Sequence, residues 1–191
     1  MTHSNTELIA DLIRQITRHG ELPFLTITSS SMAPLFQTGD QVGLETVEPG
    51  QLNRGDIVTL TQDDHLLTHR FWGLDDGGRL HTRGDRPLTP DASSSASQLL
   101  GRVIVRRRQQ RELSLQMGAG RWLNRHLAWL VQVESFLLTG HAPSPITPPL
   151  PVEKQRALFV RLVRRAFFIW ASLVVTVLTW PASLNQQQES T

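Results

Sequence analysis

Between Phe24 and Val105 the chain breaks into short runs of β-forming residues, each closed by a turn signal, and this punctuation limits the possible folds severely. The runs are Phe24–Thr28, Val42–Leu44, Ile57–Leu60, Leu66–Trp72, Leu80–Thr82 and Leu100–Arg106. Gly39-Asp40, Gly55-Asp56, Asp76-Gly77-Gly78 and Gly84-Asp85 separate them. Glycine reaches turn conformations closed to other residues, and aspartate bonds its own turn backbone. The spacing predicts a mostly β module over residues 23–110. Asp91–Gln98, with four serines and two alanines, reads as a flexible loop or small cap.

The flanks have a different period. Leu8, Ile9, Leu12, Ile13 and Ile16 recur at helical spacing between a cap at Asn5 or Thr6 and a stop at Gly20. Residues 1–22 are therefore expected to form an amphipathic helix that packs on the protein rather than lying on a membrane surface. Met1–Thr6 shows neither the positive nor the apolar region of a signal peptide. A second helix is predicted over Arg121–Leu138, within a helical region at 111–140. Five prolines in the eleven residues His141–Pro151 predict a stiff extended linker.

The terminal element, residues 152–191, contains the uncharged stretch Ala166–Leu184. As a helix that stretch reaches roughly 28 Å, enough for one membrane crossing, with Trp170 and Trp180 as interface anchors. A buried or interfacial helix is the competing reading, because Pro181 ends the strongly apolar part early. Arg156, Arg161, Arg164 and Arg165 precede the stretch and no cation follows it, which places residues 1–165 on the cytoplasmic side.

Composition narrows the chemistry. The 191 residues include no cysteine, which excludes disulfides, thiolate nucleophiles and Cys-ligated zinc. No metal and no cofactor is expected. The formal charge is only +2, but residues 1–100 carry 13 acidic and 7 basic groups, against 4 and 12 in residues 101–191. Arg106, Arg107, Arg108 and Arg111 read as a solvated strand end, with a lipid head-group contact as the alternative. No aromatic interleaving or recognition helix supports a nucleic-acid partner.

Three local sequences can carry a reaction: Thr28-Ser29-Ser30-Ser31-Met32-Ala33-Pro34, His69-Arg70, and Arg83-Gly84-Asp85 with Asp91 beyond it. A serine hydroxyl becomes an effective nucleophile beside a base, and the base needs a group to hold its orientation. Ser31, His69 and an aspartate meet that requirement if the fold joins them. Serine clusters are otherwise turns, and a lone strand histidine is otherwise structural.

The ordered set Ser31-Met32-Ala33-Pro34, Gly39-Asp40, Arg54-Gly55-Asp56-Ile57-Val58, Thr68-His69-Arg70 and Thr82-Arg83-Gly84-Asp85 resembles the signal peptidase I family and its wider serine-peptidase clan. The resemblance covers residues 25–105. It implies a signal-peptidase or regulatory-peptidase-like β fold with Ser31 as nucleophile and Met32 and Pro34 shaping the nucleophile turn and cleft. The chain is similar to the histidine-base branch found in archaea, the endoplasmic reticulum and sporulation, which makes His69 the base. The only lysine, Lys154, lies beyond the proline-rich segment. An acidic member is implied at Asp91 or Asp85; Asp91 is preferred as the orienter of His69, with Asp85 structural or supporting. The Ser31 backbone N–H, helped by the Ser29 or Ser30 hydroxyl, is expected to form the oxyanion site. The partner implied is a peptide or preprotein bound as an extended strand and cut after small residues.

The chain departs from that pattern in two respects. Its expected anchor is C-terminal, and Arg86-Pro87 follows Asp85 where the family commonly has a small polar residue. The self-cleaving regulatory branch ranks lower, since it uses a lysine base and a DNA-binding domain that residues 1–22 cannot supply. A catalytically silent membrane-associated binding or assembly protein with the same β fold is the alternative function.

Overall fold

The computed structural model describes residues 5–62, 65–140 and 158–179. The proline-rich linker, Lys154, Trp180 and Pro181 fall outside these residues. Helix α1 (Asn5–Arg18) comes first, followed by seven strands: β1 (Phe24–Thr26), β2 (Gln41–Glu45), β3 (Ile57–Gln62), β4 (His65–Leu74), β5 (Leu80–Arg83), β6 (Leu99–Arg108) and β7 (Arg111–Ser114). Helices α2 (Gly118–Thr139) and α3 (Leu158–Thr179) are the last elements among the described residues. The strands form one antiparallel sheet in the order β1-β2-β6-β3-β4-β5, with β7 paired to β6. The mostly β expectation and its flanking helices agree with this architecture; β7 was not anticipated, because only two turn residues separate it from β6.

The Gly-Asp pairs act as turn locks. Asp40 accepts the Gln37 backbone N–H at 2.8 Å and Asp56 accepts that of Asn53 at 2.9 Å. Each carboxylate also receives an arginine from β6: Arg108 reaches Asp40 at 2.7 Å and Arg102 reaches Asp56 at 3.1 Å. This corrects the reading of the arginine run as a solvated strand end. Arg107 pairs with Glu112 and lies over the Phe24 ring, and buried Arg106 donates to the Leu35 carbonyl at 2.9 Å. Burial pushes the Arg106 guanidinium down to about 10.

One core joins the sheet to all three helices. Ala10 and Ile13 of α1, Met32, Leu35 and Phe36, the strand residues Val42, Leu44, Ile57 and Val103, Leu123 and Leu127 of α2, and Ala171 and Val175 of α3 belong to it. The α1 face bearing Ala10 and Ile13 thus packs on the protein, while Leu8 and Leu12 stay exposed. Helix α3 is long and apolar enough to cross a membrane, with a mean hydropathy of 1.7. Its inner stripe of Val160, Ala171 and Val175 is nevertheless buried against the domain, whereas Leu162, Ile169, Trp170, Leu173 and Val177 face outward.

The first turn of α2 fits tightly on β7. A Cβ on Gly120 would stand 1.9 Å from the Ser114 carbonyl oxygen, so backbone would have to move. Gly120→Ala is expected to lower the unfolding free energy by at least about 1–3 kcal/mol, read by urea denaturation.

Candidate active site

The nucleophile turn follows β1. Ala33 N–H donates to the Ser30 carbonyl at 3.1 Å and Phe36 N–H to that of Met32 at 3.1 Å, which folds residues 30–36 into two overlapping turns. Met32, Leu35 and Phe36 are buried, anchoring that turn in the core. Ser31 is left half-buried at its outer side and Ser29 and Ser30 exposed. The Ala33–Pro34 peptide is cis.

Strand β4 supplies two neighbouring side chains that point to opposite faces, as successive strand residues must. His69, buried, reaches Ser31: its Nε2 lies 2.8 Å from Ser31 Oγ. Its Nδ1 lies 2.7 Å from Asp91 Oδ2, which also accepts the Thr82 hydroxyl at 2.7 Å. An ionised carboxylate only accepts, so the Nδ1 proton donates to Asp91 and Nε2 is left to accept from Ser31.

Arg70, with no exposed surface, turns the other way. It donates from Nε and Nη2 to the two oxygens of Asp85, each at 2.7 Å, and from Nη1 to the Gly55 carbonyl at 2.7 Å and Asn124 Oδ1 at 2.6 Å. Asp91 therefore lies beside His69, and Asp85 belongs to a buried ion pair that ties the sheet to α2.

The segment read as a flexible loop or small cap is tied by backbone bonds to β5. Asp91 N–H donates to the Thr82 carbonyl at 3.0 Å, Leu80 and Ser94 exchange backbone bonds at 2.7 and 2.9 Å, and Ser94 is buried. Pairing with β5 thus carries Asp91 under the imidazole. Serine-rich composition concealed this, because the contacts are made by backbone and not by a periodic side-chain pattern. Thr82, Arg70 and Asn124 were not anticipated as supports. The first two stand inside Thr68-His69-Arg70 and Thr82-Arg83-Gly84-Asp85, and only Asn124 had no motif to mark it.

The remaining residues of the turn divide their contacts. Ser29 Oγ is 3.2 Å from Ser31 Oγ, whereas Ser30 Oγ accepts Arg86 Nη1 at 3.2 Å. Met32 lines a cleft of about 240 Å³ with Leu25–Ser29 on one side and His65–Thr68 on the other. Pro34 borders a separate space of about 310 Å³ between α2, α3 and Arg86. Among the described residues no cluster of His, Asp and Glu has the arrangement of a metal site.

Gly84 closes the site from below. A Cβ there would stand 2.9 Å from His69 Nε2 and 2.8 Å from the Pro87 ring. Gly84→Ala is expected to displace the imidazole from Ser31 and to lower the unfolding free energy by about 1–3 kcal/mol, read by urea denaturation.

Ser31 and His69 thus share a hydrogen bond within a mostly β fold of the kind expected for a serine peptidase-type hydrolase, the class to which the family match below assigns the chain. The family profile described as Peptidase S24-like matches residues 2–104, and the chain belongs to that family. The match is to the S24-like family as a whole and does not single out the signal peptidase branch. No curated protein matches the chain.

Proposed function

We propose that the protein is a serine endopeptidase resembling signal peptidase I, which cleaves a leader or signal peptide held as an extended strand. The observation that carries this reading is the Asp91, His69, Ser31 relay at 2.7 and 2.8 Å. His69 takes the Ser31 proton as Oγ bonds to the scissile carbonyl carbon. The Ser31 N–H, with the Ser29 hydroxyl beside it, stabilises the oxyanion. Collapse breaks the C–N bond, and His69 passes its proton to the leaving amine. A water then gives a proton to His69 and attacks the acyl carbon, and the second collapse returns that proton to Ser31. Asp91 stabilises the imidazolium in both halves.

Strand edges support the substrate mode. β1 pairs only with β2, and β5 pairs with β4 only over Arg70–Leu74, so residues 65–69 lack a second strand neighbour among the described residues. The cleft lies between these two open edges and is floored by Leu25, Ile27, Met32 and Leu66. An added peptide strand can bond to both edges, while its alternate side chains enter the floor. The outward apolar stripe of α3 supports membrane association, and Arg161, Arg164 and Arg165 in the first half of that helix favour a cytoplasmic catalytic domain.

The test is digestion of a peptide library rich in small residues by the full chain, with products located by mass. Cleavage at a defined bond that disappears in both Ser31→Ala and His69→Ala is expected. Cleavage that persists in either variant overturns the reading, as does its absence from the folded, membrane-reconstituted wild-type chain, which would favour the silent binding module.

A further inference from the structure

Helix α3 lies beyond the family match, yet it reaches the nucleophile turn. Val160, Arg164 and Phe168 are spaced four apart and form one stripe of that helix. All three meet the segment after β5. Val160 packs on Leu88 in a small buried cluster, and Arg164 Nη2 donates to the Arg86 carbonyl. The Phe168 ring lies 5.3 Å from the Arg86 guanidinium carbon, within cation–π range. Glu134 of α2, buried, pairs with Arg164 Nε at 3.4 Å and steers it toward this contact.

Arg86 passes the contact onward. Its backbone N–H donates to the Ser31 carbonyl at 2.9 Å, and its Nη1 donates to Ser30 Oγ at 3.2 Å. The residue that departs from the usual family pattern thus bridges α3 and the nucleophile. Nothing else contacts both its carbonyl and its guanidinium in this way among the described hydrogen bonds and ring contacts.

We propose that α3 is a latch on the active site, in which Arg164 and Phe168 are positioning residues that hold Arg86 against Ser31. The inference rests on the peptidase reading above and adds a requirement to it: the docked helix sets the reactive geometry of the serine. The latch acts through the carbonyl of Ser31 itself, so its release shifts Oγ relative to His69. Reactivity falls steeply with such displacements.

The test uses the full chain with Phe168→Ala, Arg164→Ala and Arg164→Lys, and with Leu162→Ala on the outward face as control. Two readouts are taken: the rate at which an alkyl fluorophosphonate labels Ser31, and hydrogen exchange over residues 84–88. Phe168→Ala and Arg164→Ala are each expected to slow labelling by about 10- to 100-fold. Exchange over 84–88 is expected to quicken in both, Arg164→Lys to recover part of each effect, and Leu162→Ala to match the wild type. Wild-type labelling rates in both alanine variants, or unchanged exchange, overturn the latch. A wild-type chain that is neither labelled nor active on the library overturns the peptidase reading instead, and exchange still decides whether α3 holds the loop.

Discussion

Ser31→Ala is expected to reduce peptide cleavage by at least about 10⁴-fold, and adding His69→Ala to cost almost nothing more, because the two groups act as one unit. The geometry explains the coupling: Ser31 Oγ has its proton acceptor 2.8 Å away at His69 Nε2, and neither atom is useful without the other. Asp91→Asn tests the third member separately. The amide would present a donor to Nδ1 and favour the tautomer whose proton sits on Nε2, where it faces Ser31. Cleavage is expected to fall by about 10⁴-fold while the fold is kept. Single-turnover rates on a peptide identified from the library measure all three, with thermal unfolding run in parallel.

Asp85→Ala is expected to behave in the opposite manner, with its largest effect on stability. It strips both carboxylate oxygens from an arginine that has no exposed surface. An uncompensated buried charge of this kind costs about 3–5 kcal/mol. For a chain of this size the melting temperature is then expected to fall by about 10 °C. Scanning calorimetry on Asp85→Ala and Asp91→Asn therefore separates the two carboxylates: a large drop for the first and a small one for the second is the expected pattern. Equal drops would mean that Arg70 finds other partners when Asp85 is lost. The remaining bonds from Arg70 Nη1 to the Gly55 carbonyl and Asn124 Oδ1 are neutral and do not replace a counter-charge.

The roles of these carboxylates show the limit of reading the chain residue by residue. Asp85 sits in the conspicuous Arg83-Gly84-Asp85 sequence, and Asp91 in a serine-rich stretch with the look of a surface loop. Spacing along the chain cannot rank them, because both lie close enough to β5 to reach the imidazole. What ranks them geometrically is the alternation of β4, which sends His69 to one face and Arg70 to the other, together with the backbone bonds that fold Asp91 back on Thr82.

The arginines of β6 teach the same lesson. Four cations within six positions look like a patch for an anionic partner, and strand alternation alone cannot say what stands opposite. Asp40, Glu112 and the Leu35 carbonyl occupy those places, from segments far away in sequence or across a tight turn. Arg106, Arg107 and Arg108 are therefore bonded within the chain, and Arg111 remains exposed at the start of β7.

The strand runs, the Gly-Asp turns, the helical flanks and the ordered motifs around Ser31 and His69 were all legible in the order of the residues alone. These are local properties: side-chain period, turn chemistry and short spacing act over a few residues and survive without knowledge of the fold. Which aspartate meets His69, how α3 lays its inner stripe on the core, and the reach of Arg164 and Phe168 to the loop behind Ser31 emerge from the packed fold. Each of those joins segments separated by 22 to 82 residues or more. Such contacts are set by how sheet edges and helix faces pack together, and no local pattern encodes the partner on the other side.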